Sequence, residues 1–183
     1  MKQLQPIGIT LLAAVCLSPA LQAADAKTTE SPESKAITKL LAVAKTQAYL
    51  ISVDATLLQS YTRSDLDWRT HAKQVSRVKN HINAAAQTVT ALDAARSRAE
   101  PWQVIAINRI LPYMREMAED TTNAIEYINK NQSRLNDKDY KEFITANSDT
   151  SRELAALIAQ FVDYGNSKGN YDKLQKKLEL PAK

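Results

Sequence analysis

The chain has 183 residues, a formal net charge of +4, a single cysteine and three glycines. That length supports one domain with a substantial core better than two. The charge is too small to mark a nucleic-acid-binding surface. So few glycines exclude a Gly-rich phosphate cradle of the P-loop or G-x-G-x-x-G type.

The amino terminus reads as an address. Lys2 gives a short positive region, residues 7–17 (IGITLLAAVCL) form an apolar run, and residues 18–26 (SPALQAADA) supply small residues for cleavage. This is the pattern of a secretory signal peptide over residues 1–23, cut after Ala23. The apolar run falls short of the roughly 20 residues of a membrane span. The expected mature protein is therefore periplasmic or secreted and does not span a membrane. Lipoprotein anchoring at Cys16 is not expected, because the bulky Val15 sits where a lipobox wants a small residue. Cleavage removes Lys2 and Cys16, leaving a charge of +3 and no thiol. Packing, not disulfides, must then hold the fold.

Residues 24–34 (ADAKTTESPES) are small and polar and read as a flexible lead-in, with Ser31-Pro32 able to start a helix. Ile37, Leu41, Ala44, Ala48, Ile51, Ala55 and Leu58 then recur at spacings of three and four, predicting a first helix over about 35–61. Ser64 and Asp67 resemble a capping box. The stripe Trp68, His71, Val75, Val78, Ile82, Ala85, Val89 and Leu92 predicts a second helix over about 65–97. Glu100-Pro101 opens a third, about 101–132, whose stripe runs from Val104 to Ile128; Pro112 inside it predicts a kink without a break. The fourth, about 137–164, carries Tyr140, Ile144, Leu154, Ile158 and Phe161. Gly165 and Gly169 read as its stop, followed by a short tail helix over about 170–179.

These stripes predict an all-α fold, an antiparallel up-down-up-down four-helix bundle over residues 35–183, about 45 Å long. Heptad spacing in three of the four favours shallow, coiled-coil-like crossings. Trp68 and Trp102, which open helices at opposite ends, read as end plugs of the core.

No G-x-S-x-G, H-E-x-x-H or C-x-x-C occurs, and neither His71 nor His81 follows a Glu by three positions as in di-iron bundles. No catalytic, cofactor-binding or metal-binding residue is assigned, and no cofactor is expected. A haem held between His71 and Met114, as in cytochrome b562-like bundles, fails on geometry. Folding the second and third helices back at Ala99 separates the two by about 20 Å along the axis. The two histidines are about 15 Å apart on one helix and cannot share a metal. Folding the first two helices back at Thr62 or Arg63 instead sets His71 opposite Asp54, a structural pair that would fix their register. A solvent-edge or functional His71 are the alternatives. His81, beside Lys79 and Asn80, reads as solvated. The basic faces Arg69, Lys73, Arg77, Lys79 and Lys173, Lys176, Lys177 read as solvated helix surface. Thr121, Asn147 and Ser151 read as small polar core residues bonded to their own helices.

The stretches SRAEPWQVIAINRILPYMREMAEDT and IAQFVDYGNSKGNYDKLQKKLEL resemble a group of short exported helical bacterial proteins with no assigned function. The resemblance implies an architecture and a compartment, and no activity. Small helical periplasmic chaperones are a looser comparison, and their L-T-x-x-Q motifs have no match here. Two function classes follow. One is a non-enzymatic envelope protein acting by protein or surface binding, its partner unknown but not nucleic acid. The other is a carrier holding a small ligand or cofactor in the bundle interior.

Overall fold

The computed structural model describes residues 31–180. The signal peptide expected over 1–23, with Cys16, and most of the expected lead-in lie outside them. Four helices follow: α1 (Pro32–Tyr61), α2 (Trp68–Ala94), α3 (Pro101–Lys130) and α4 (Lys138–Lys177), with one 3-10 turn at Arg96–Arg98. The described residues contain no strand. α1 packs on α2 and α4, and α3 packs on the same two helices, so each helix has two neighbours in an antiparallel four-helix bundle. No described helix is long and apolar enough to cross a membrane.

The predicted stripes of α1 and α2 are buried almost throughout, whereas in α3 the buried line is rotated: Ala106, Ile110, Met117 and Ala124 join Ile107, Met114, Thr121 and Ile128, while Val104, Leu111 and Ile125 are half-buried and Ala118 is exposed. Ile37, Leu41, Ile51, Leu92, Ile107, Ile144 and Ile158 are all fully buried. The element ends differ from expectation in instructive ways. Ser31 caps α1 by accepting from the Ser34 amide at 3.0 Å, so the helix starts at Pro32 and the lead-in is shorter than 24–34. The N-cap of α2 is Asp67, not Ser64: its carboxylate accepts from the Thr70 amide at 2.9 Å, and the loop before α2 is longer than expected. α3 runs through Pro112 unbroken. Pro112 and Asn108 are both exposed, so the carbonyl that loses its partner faces water.

The largest correction concerns α4. It is continuous over 40 residues, and the predicted tail helix is its last turns. Gly165 and Gly169 do not stop it, because neither adopts the positive φ of a helix-ending glycine. Gly165 serves packing instead: a Cβ there would lie 2.7 Å from Cη2 of Trp102. The α4 glycine thus lets the Trp102 ring close the end of the bundle, where Tyr164 also meets it edge-on at 5.4 Å. Trp68 is half-buried with the Arg69 guanidinium over its ring. The last buried residue of α4 is Val162; beyond it Tyr164, Gly165 and Lys168 still touch the end of the bundle at Trp102 and Glu100, and the last turns carry no buried residue.

The two glycines should respond oppositely to alanine. Gly165→Ala is expected to lower stability by about 1–2 kcal/mol, since overpacking against Trp102 outweighs the gain in helix propensity. Gly169→Ala, with nothing within 4 Å of the new methyl, should be neutral or stabilising by up to about 1 kcal/mol. Urea denaturation followed by circular dichroism reads both.

Candidate functional site

The chemistry-bearing side chains of the bundle lie in four places along its length. The first is the α1–α2 seam. Asp54 on α1 is buried, and a buried carboxylate must be bonded or paired. Its Oδ1 accepts from Gln74 Nε2 at 3.2 Å, and the same amide donates to the Asp54 carbonyl at 3.0 Å. Arg77 Nη2 stands 3.5 Å from Oδ1. His81 Nδ1 is 2.9 Å from Oδ2, although the two are not aligned for a hydrogen bond. Gln74, Arg77 and His81 lie at spacings of three and four on one edge of α2, so three side chains converge on one carboxylate.

The expected Asp54–His71 pair is therefore replaced. Asp54 is buried as that pairing requires, but it meets His81, which is not simply solvated. The cause is the loop. With α1 ending at Tyr61 and α2 starting at Trp68, the fold-back point moves along the chain, so the residue facing Asp54 shifts by about one helical turn to Gln74, with Arg77 and His81 on the two following turns.

The second place is the bundle end where α1 meets α2. His71 is buried, with Nδ1 3.0 Å from the Tyr140 hydroxyl. Tyr61 meets His71 edge-on at 5.9 Å, Tyr140 meets it at 5.6 Å, and Tyr127 packs on Tyr140 at 5.7 Å. These four rings come from α1, α2, α4 and α3, one from each helix. Burial lowers the His71 pKa below its ordinary 6.5, with Asp67 opposing, and burial pushes the Tyr140 phenol up, so both stay uncharged. Met114 is buried in the core of α3, and His71 has its own partner in Tyr140, so nothing in this arrangement offers a Met–His pair to a haem.

At the opposite end Glu100 ties three helices. Its carboxylate accepts from Ser34 Oγ of α1 at 2.8 Å, from Trp102 Nε1 at 3.0 Å and from Lys168 Nζ of α4 at 3.2 Å. Burial works against its charge, but the bonds from Ser34, Lys168 and Trp102 prevail and hold the carboxyl below its usual range. Gln103 Oε1 accepts from the Glu100 amide, and its Nε2 donates to the Ser34 carbonyl and to Thr38.

Between the ends, the polar core positions bond within and between α3 and α4. Asn147 Nδ2 donates to Thr121 Oγ1 at 2.6 Å and to the Met117 carbonyl at 3.0 Å. Ser151 donates to the Ser148 carbonyl three residues back. The expectation that each would bond to its own helix holds for Ser151, whereas Asn147 crosses to α3. Gln74, Gln103 and Glu100 are partners that periodicity did not single out. The signal was present in Gln74, which stands seven residues before His81 and three after His71 on the edge of the stripe.

Among the described residues, no cluster of three or more His, Cys, Asp or Glu side chains could hold a metal ion. No family model, curated protein or solved structure matches the chain.

Two measurements follow. In double-mutant cycles, Asp54→Asn with His81→Gln should couple by about 1 kcal/mol, while Asp54→Asn with His71→Gln should be additive within about 0.5 kcal/mol. Folded His71 gives up its proton more readily than unfolded His71. Stability should thus be complete above pH 6.5 and fall as the pH drops below 6.5 through the lower folded value. The urea midpoint is expected to decline from pH 7.5 to 5, with a shallower decline in His71→Gln.

Proposed function

We propose that the protein is an exported, non-enzymatic helical bundle of the cell envelope that acts by binding a protein or surface through its helix faces. The address rests on Lys2, the apolar run at 7–17 and the small residues at 18–26. The observation that carries the mode of action is apolar surface on two helices. Val43, Tyr49, Leu50, Val53 and Leu57 are exposed on α1, and Tyr164, Tyr171, Leu174 and Leu178 on or just past the end of α4. Scattered apolar residues are ordinary on a surface, but stripes at helical spacing mark contact sites. On the last turns of α4, Lys173, Lys176 and Lys177 lie away from Tyr171, Leu174 and Leu178, giving an amphipathic, basic extension.

The competing reading is a carrier using the bundle interior. It needs uncommitted polar groups in the core, whereas the Asn147 amide nitrogen, Thr121 and Ser151 bond to each other's helices or to their own, leaving only Asn147 Oδ1 of these three side chains without a partner. His71 and Asp54 likewise have protein partners.

Native mass spectrometry of the protein purified from its own envelope fraction separates the two. The mass of the polypeptide, alone or with protein partners, is the expected result. A stoichiometric small-molecule adduct would overturn the binding-surface reading in favour of the carrier.

A further inference from the structure

α1 is apolar on both sides. At about 100° per residue, its core line of Ile37, Leu41, Ala48 and Ala55 lies roughly opposite a second line of Val43, Leu50 and Leu57. Thr46, Val53 and Ser60 flank that second line at the alternate heptad spacing, and Tyr49 borders it. Val43, Leu50, Val53 and Leu57 are 40–48% exposed, and Tyr49 is 63% exposed. Two positions in each heptad on one line are the pattern of a coiled-coil seam, and here no helix of the bundle occupies it.

Charge sets this face apart from the rest of the surface. Between Lys39 and Arg63 the only charged residues are Lys45 and Asp54. Lys45 is paired with Asp163 of α4 at 3.2 Å, and Asp54 is buried against α2. The seam from Val43 to Ser60 therefore has no charge of its own. Charges appear only beyond its ends: Glu33, Lys35 and Lys39 are exposed at one end, which is net basic, and Arg63, Asp65 and Asp67 are exposed past the other, which is net acidic.

We propose that this face of α1 is a self-association surface, on which a second copy of the chain docks its own α1 antiparallel about a two-fold axis near Ser52. The proposal rests on the reading that the molecule works through its helix faces. An antiparallel pairing sets Leu50 against Val53 of the other copy and Leu57 against Thr46 of the other copy, each contact occurring twice by symmetry. It also brings Lys35 and Lys39 alongside the loop with Asp65 and Asp67 of the other copy. A parallel pairing would instead set Lys39 against Lys39 and leave the acidic loops together, so charge selects the antiparallel arrangement. The seam from Val43 to Leu57 is about 20 Å long. Both partners are already folded, so no helix has to be nucleated on association. The small area places the dimer at the weak end of specific interfaces, with a dissociation constant on the order of 10 µM.

Sedimentation of the chain from Ala24 onward, which contains every helix of the bundle, tests this between about 1 and 200 µM. The expected result is a monomer–dimer equilibrium that Leu50→Glu shifts at least about tenfold toward monomer, with unchanged helical circular dichroism and melting. This chain has no cysteine, so oxidation reads the orientation. Thr46→Cys mixed with Leu57→Cys should cross-link, whereas each alone should not. A wild-type chain that stays monomeric, or a dimer indifferent to Leu50→Glu, overturns the proposal. Efficient self-cross-linking of each single variant overturns the antiparallel arrangement. A small-molecule adduct in native mass spectra would defeat the functional reading yet leave this equilibrium unaffected, so the two failures are distinct.

Discussion

A carboxylate taken out of water inside a helix bundle must be met by donors, and Asp54 imposes that condition on the whole molecule. α1 cannot slide or rotate on α2 without stripping Asp54 of the Gln74 amide, which holds both its carboxylate and its carbonyl. Apolar stripes alone tolerate a slip of one heptad, because Ile, Leu and Ala at seven-residue intervals replace one another with little loss. A single buried polar contact does not. Breaking it leaves an unsatisfied charge whose cost exceeds the net worth of the bond itself.

The two ends of the bundle complete this constraint in different ways. One end is closed by uncharged aromatic and imidazole groups, with Tyr61, His71, Tyr140 and Tyr127 linking all four helices and the His71–Tyr140 contact crossing the bundle from α2 to α4. The other is closed by an ionised one, where Glu100 gathers donors from three helices. Acid therefore weakens the His71 end first, since the Glu100 carboxyl is held below its usual range. Between them the core is apolar packing interrupted by the Asp54–Gln74 contact of α1 and α2 and the Asn147–Thr121 bond of α4 and α3. That leaves the outer face of α1 and the projecting turns of α4 as the surfaces with apolar side chains to offer. Rigidity inside and availability outside are consistent with a protein that works by contact.

Much of this was readable in the chain. Spacing of three and four gives the helices and most core residues, and it puts His71 on a core stripe and Asp54 beside one without deciding that either is buried. What it misplaced were pairings. Spacing matches Asp54 to His71 only for a loop between α1 and α2 shorter than the one present, and it leaves His81 off the stripe beside Lys79 and Asn80, where it reads as solvated. Gly165 and Gly169 look like punctuation in the sequence, since glycine at a helix end usually is. Gly165 is instead where α4 makes room for Trp102 on α3, a contact between residues far apart in sequence.

The sequence by itself determined that the domain is all-α, that four amphipathic stripes must be buried against one another, and most of the residues that lie on them, the rotated line of α3 excepted. Periodicity is a property of one helix, fixed by about 100° of turn per residue, and needs no knowledge of neighbours. Only the tertiary structure decided which polar groups meet, that α4 runs on through its glycines, and that α1 keeps a second apolar line in solvent. Those outcomes depend on where two helices face each other. Each residue added to a loop shifts that alignment by about 1.5 Å and moves a different side chain into place.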